Sequence, residues 1–214
     1  MLNQNWELNG SIYIQKLKEA YEKCGLEKRW DHLFDIAHGV SEEDKRLLLK
    51  EYPAFPKTLM EILEIIDGTY WRKYRNEKVT YYFFGSDVDN GEYPYFLFSA
   101  KDIINNKDAA SNFGDLFYDF LEEPDERFGP FVDDRILMDA YQLKWLNFSD
   151  CMNNGGTSSL FIDFTPSEKG KKGQVVRYLH DRDELKVIAD SFDEFLEMLI
   201  ANQFRFIHED DFGS

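Results

Sequence analysis

Cysteine is scarce in this 214-residue chain. Only Cys24 and Cys151 occur, far apart and in no CxxC spacing. That count excludes a disulfide scaffold and points to a reducing cytoplasm. No stretch approaches the roughly 20 consecutive apolar residues that span a bilayer. The opening MLNQNWELNG has no basic segment leading into an apolar run, so neither a membrane helix nor a secretory leader is expected.

Signatures of chemistry are equally thin. The four histidines are His32, His38, His180 and His208. Cys24, His32 and His38 fit no zinc spacing and lack a fourth ligand. Gly155 and Gly156 precede a predicted strand instead of opening a helix, which suits a turn and not a phosphate cradle. Asp87-Val-Asp-Asn-Gly-Glu92 begins like a calcium loop, but Gly91 falls fifth and Ser99 twelfth, so the register fails. A hairpin turn accounts better for Asp89-Asn-Gly. Ser191, between Asp190 and Asp193, reads as a helix cap and not as a nucleophile. Paired carboxylates (Asp87/Asp89, Glu122/Glu123, Asp133/Asp134, Asp210/Asp211) leave acid–base chemistry as the remaining catalytic alternative. With no cofactor motif and no metal set, the expectation is a binding protein, and a hydrolase or metal-binding protein ranks behind it.

Acid and aromatic residues are plentiful. Asp+Glu number 41 against 25 Lys+Arg, a net charge of −16, and aromatics make up 16% of the chain. The charge is unevenly placed. Residues 1–79 hold 14 acids and 13 bases, whereas residues 80–214 hold 27 acids and 12 bases; segment 87–139 alone has 14 acids and 4 bases. Such a field repels nucleic acid and anionic membrane and attracts cationic partners.

Apolar spacing predicts helices throughout 11–67. Ile12, Leu17, Tyr21 and Cys24 mark the first, Trp30, Leu33 and Phe34 the second. Ser41 caps a third, which Pro53 closes, and Pro56 opens a fourth that ends at Asp67-Gly68. Strands are predicted at 79–84 and 93–98, the latter an edge strand because of Pro94. Ser99 and Asp102 cap a short helix, and another is expected at 113–122, followed by a loop. Three strands at 160–164, 174–178 and 185–188 have connections short enough for antiparallel neighbours. A last helix begins at Ser191, with Glu194 completing its cap. The basic turn 169–173 reads as solvated.

Five segments in order carry a resemblance: Trp145-Leu-Asn-Phe; Asn154-Gly-Gly; Leu160-Phe-Ile-Asp-Phe-Thr-Pro; Gly170-Lys-Lys-Gly-Gln-Val-Val; and Ile188-Ala-Asp-Ser-Phe-Asp-Glu-Phe-Leu. Together they resemble the SUKH superfamily, which includes fungal cell-wall-assembly regulators and many bacterial immunity proteins. Upstream, 52–68 and 96–103 resemble the family's earlier helix, strand and short helix. The resemblance implies an α+β fold, mainly an antiparallel sheet packed by helices. A helical extension at 1–40 precedes a domain at 41–205 that carries an acidic insert at 105–139. Trp145, Gly155, Gly156, Asp163, Gly173, Gln174, Ser191 and Phe192 are expected to be scaffold residues. It also implies protein binding, since bacterial members often neutralise toxins, frequently nucleases, encoded beside them.

A nuclease toxin holds a polyanion, so its active site is basic and an acidic protein can occupy it. The residues expected to do so are Asp87, Asp89, Glu92, Asp115, Asp119, Glu122, Glu123, Asp125, Glu126, Asp133 and Asp134, with intervening Phe and Tyr as anchors. The partner is then a basic toxin domain. A regulatory scaffold of the cell-wall-assembly type is the alternative.

Overall fold

The computed structural model describes residues 7–88, 91–122, 131–151, 158–180 and 183–208, with backbone only at 87–88, 91–92 and 119–122. Four helices lead: α1 (Gly10–Lys23), α2 (Glu27–Ile36), α3 (Glu42–Glu51) and α4 (Lys57–Ile65). Side-chain caps start two of them. Asn9 accepts from the Ile12 amide and Ser41 from the Asp44 amide, each satisfying a donor that has no partner inside the helix. Pro56 is the N-cap residue of α4.

A small hairpin follows, β1 (Arg72–Tyr74) with β2 (Glu77–Val79). Next come β3 (Tyr82–Val88), β4 (Gly91–Leu97), α5 (Ala100–Asn105), a 3₁₀ turn (Ala109–Phe113) and α6 (Gly114–Glu122). The chain ends with β5 (Phe131–Val132), β6 (Trp145–Cys151), β7 (Ser158–Asp163), β8 (Gln174–Leu179), β9 (Glu184–Ala189) and α7 (Phe192–Ala201). β3 to β9 form one seven-stranded sheet in the order β3-β4-β6-β7-β8-β9-β5. Every neighbouring pair is antiparallel except β5 with β9. The fold is α+β with a mostly antiparallel sheet.

One face of the sheet carries the larger core. Tyr13, Leu17 and Tyr21 of α1, Leu59, Ile62 and Leu63 of α4, and Phe192, Phe195 and Leu196 of α7 pack on Phe84, Phe148, Leu160 and Ile162. Polar ends of the α1 tyrosines are satisfied inside: Tyr13 Oη donates to Phe83 O at 2.6 Å, and Tyr21 Oη to Tyr82 O at 2.8 Å. The opposite face has a smaller cluster, in which Phe113, Phe117, Val132 and Ile136 cover Trp145, Phe161, Val176 and Val187.

Three expectations change. The apolar run expected as one strand at 79–84 is divided: β2 ends at Val79 and pairs with β1, while β3 begins at Tyr82 and pairs with β4. Propensity is the same on both sides of the break, so partner choice alone separates them. The strand with Pro94 lies between β3 and β6, not at the edge; its β6 pairing is made by Phe96 and Leu97, and Pro94 faces Gly85 of β3. Finally, the expected loop after α6 includes the two-residue β5, which pairs in parallel with β9.

Candidate functional site

A row of cross-strand neighbours runs over the sheet: Tyr82, Phe96, Asp150, Ser159, Tyr178 and Leu185 are successive Cα partners. Residues so paired share a face. Asp150 and Ser159 thus make a polar notch in an otherwise aromatic and aliphatic row. A cleft of about 550 Å³ opens above this notch. Its floor is Asn147, Asp150, Ser159 and Phe161, and its walls are Phe98, Phe113 and Leu116, with Asp115, His180 and Asp183 also lining it. Phe113 packs against both Trp145 (5.8 Å between centroids) and Tyr178 (4.9 Å), so the 3₁₀ turn is fixed to the sheet as one wall.

The floor is deeply set. Asp150 is 7% exposed, Ser159 8% and Asn147 5%. Asp150 Oδ1 accepts from the Cys151 amide at 2.8 Å, and none of the ion pairs among the described residues includes it. Burial pushes its carboxyl up to about 6, because taking the charged form out of water is unfavourable. At the far end Tyr178 Oη donates to Asp183 Oδ1 at 2.9 Å. Burial, then the bond to Asp183, raises that phenol to about 12. Of the charged residues lining the cleft, Asp115, Asp150 and Asp183 are acidic and none is Lys or Arg.

The residues expected on an acidic surface fall into separate groups. Asp87 and Glu92 are cross-strand partners at the β3–β4 hairpin. Asp115, Asp119 and Glu122 follow one another on α6 at the spacing of a single helical face. Asp133 and Asp134 follow β5, at the sheet edge opposite β3. Asp89, Glu123, Asp125 and Glu126 lie outside the described residues. Asp133 departs from the expectation. Its carboxylate accepts from Arg135 Nε at 3.0 Å and Nη2 at 2.7 Å, and from the Val187 amide at 3.3 Å. Burial pushes this carboxyl up, but the bonds from Arg135 outweigh it and leave the net value below the ordinary range. Asp134 is exposed yet paired with Lys169 at 2.7 Å. Lys171 pairs with Asp190, so the basic turn is partly neutralised by acids. Of the aromatic anchors, Phe113 and Phe117 are buried in the second core, while Tyr118 and Phe131 stand more than half exposed.

Asn147, Asp150, Ser159 and Asp183 were not singled out from the sequence. An aspartate inside the strand Trp145–Cys151 was the available signal. A bulge between Asn147 and Ser149 breaks the two-residue alternation that would have shown which face Asp150 occupies. Among the described residues no group of three or more His, Cys, Asp or Glu is placed to hold a metal ion. Of the loose set, His32 is bonded to Glu77 at 2.7 Å and His38 to the Gly39 carbonyl at 2.9 Å. No described helix is long and apolar enough to cross a membrane.

The model of the SMI1/KNR4 family (SUKH-1) matches residues 39–198, most of the chain. The chain belongs to the SMI1/KNR4 family. No curated protein matches it.

The SMI1/KNR4 motif residues occupy structural positions where they are described. Trp145 is 1% exposed and packs on Phe161 at 5.2 Å. Asp163 receives the Thr165 amide at 2.7 Å and Gln174 Nε2 at 2.9 Å. Gln174 also donates to Arg135 O at 3.1 Å and accepts from the Lys171 amide at 3.0 Å, which fastens the 164–173 turn to the segment after β5. Gly173 sits at φ +92°, a conformation glycine adopts without steric cost. Ser191 Oγ accepts from the Glu194 amide at 3.1 Å, and Glu194 accepts from Asp190, one residue earlier than a reciprocal box would require. Phe192 stacks edge-on against Phe148 at 5.3 Å. Gly155 and Gly156 lie outside the described residues.

Proposed function

We propose that this SMI1/KNR4 protein is a non-catalytic binding domain, an immunity protein that neutralises a cognate toxin by engaging its basic surface. The observation that carries the reading is the cleft, whose described charged lining is Asp115, Asp150 and Asp183 with no lysine or arginine. A basic domain is drawn to such a surface at long range and gains association rate from it.

The test is the rate of association with the protein encoded beside this chain. Raising salt from 0.05 to 0.5 M shortens the screening length to below about 5 Å, and the on-rate is expected to fall at least about tenfold. An on-rate indifferent to salt overturns charge steering. A regulatory scaffold is the second reading, because the SUKH superfamily that the chain's motifs resemble includes fungal cell-wall-assembly regulators as well as immunity proteins. It predicts stable complexes with several unrelated cellular proteins and no protection against a neighbouring toxin.

A further inference from the structure

We propose that the cleft is a socket for a single arginine side chain of the partner protein, with Asp150 as its counter-ion. The inference rests on the acidic-surface reading above and gives it an anchor. Three side chains at least nine-tenths buried, Asn147, Asp150 and Ser159, line the cleft floor. Asp150 uses one oxygen for the Cys151 amide, and its other oxygen has no donor among the described residues. Ser159 Oγ likewise has no hydrogen-bond partner among them. A buried carboxylate with no cation beside it among the described residues is unfavourable by itself, and a cation arriving from outside would offset that cost.

The chemistry favours guanidinium over ammonium. Acceptors on Asp150 and Ser159 sit on directly opposed strands, about 5 Å apart at their Cβ atoms. A planar fork with five donors can address both, whereas an ammonium is a compact and strongly hydrated point charge. Phe98 and Phe113 of the walls and Phe161 of the floor supply aromatic and apolar surface for the guanidinium and its three-carbon stem. About 550 Å³ accommodates one such side chain with water around it.

Charged and titratable neighbours come from each bordering element. Asp115 is on α6, Tyr178 on β8, and His180 and Asp183 on the turn to β9. Tyr70 precedes β1; burial, then the charges of Asp150 and Asp102, raise its phenol. Binding is expected to weaken as pH falls through about 6, where Asp150 takes up a proton. His180 also lines the cleft, so His180→Gln separates its contribution from that of Asp150.

The probe is N-acetyl-L-arginine methylamide, titrated into the full chain at pH 7.5 and followed by amide NMR shifts. Saturable shifts centred on Asn147, Asp150, Ser159 and Tyr178 are expected. Asp150→Asn should weaken binding at least tenfold while keeping a folded spectrum, and lowering the pH to 5 should do the same in the unaltered chain and in His180→Gln. Glu197→Gln, exposed on α7 and outside the cleft, should leave binding unchanged. The neutral citrulline derivative should not bind, and the lysine derivative should bind more weakly. Equal binding of citrulline or lysine, an unchanged affinity in Asp150→Asn, or shifts centred elsewhere would overturn the socket. Such a failure leaves the salt test of charge steering intact; conversely, salt-independent association with normal arginine binding removes the steering and keeps the socket.

Discussion

Asp150 shows how one residue can set stability against binding. Its carboxyl is raised from the ordinary 3.8 to about 6, so the folded chain holds that proton more tightly than the unfolded chain. The associated stability is therefore complete below about pH 4 and is lost as pH rises through about 6. Asp150→Asn, which keeps an acceptor for the Cys151 amide, removes the buried charge. It should stabilise the protein at pH 7 by up to about 3 kcal/mol and make no difference near pH 4. Chemical denaturation at the two pH values checks this; an equal effect at both would mean that the charge is not what matters. A carboxylate kept at such a cost to the fold is what a binding role would explain.

At the scale of the element, β5 illustrates a strand held by side chains. Two residues of parallel pairing supply little on their own. Arg135 grips Asp133 with two nitrogens and donates to Val187 O at 3.0 Å, while Asp133 also receives the Val187 amide. The next turn closes on the same spot: a Cβ on Gly170 would lie 2.4 Å from Arg135 O. Asp133→Ala frees Arg135 and should cost roughly 1–3 kcal/mol, as a partly buried charged hydrogen-bond partner is lost. Amide exchange should accelerate locally at Asp133 and Val187. Because the Asp133 carboxyl lies below its ordinary value, its contribution is present above about pH 4 and disappears as pH falls through the folded value. Unchanged exchange in the variant would show that backbone pairing alone secures β5.

For the whole molecule, the first two helices belong to the same core as the sheet. Tyr13, Leu17, Tyr21, Trp30 and Leu33 are each 2% exposed or less, in one cluster with Phe83 and Phe84. The family match, however, begins at residue 39. A chain starting there exposes the partners of these side chains. At about 1.5–3 kcal/mol for each large apolar group, the loss rivals the roughly 5–15 kcal/mol that keeps a domain folded. Such a truncated chain should show no cooperative thermal unfolding and should bind a hydrophobic dye. A sharp transition within a few degrees of the full chain's would mean that α1 and α2 are dispensable.

Local chemistry made the helices legible in the sequence. Ser41, Ser99 and Ser191 are caps because a hydroxyl three residues before a free amide satisfies it whatever lies elsewhere in the chain. The last three strands were legible for the same reason: β-branched and aromatic runs stand between polar turns. The division at Tyr82, the strand β5 and the cleft were decided by tertiary structure, since each depends on which strand lies beside which. Asp133 and Asp150 are both simply aspartates by sequence. One is tied to an arginine two residues away, and the other is buried opposite Ser159 with no cation paired to it among the described residues. Burial and partnership set a carboxylate's role, and both are properties of strands brought together from distant parts of the chain.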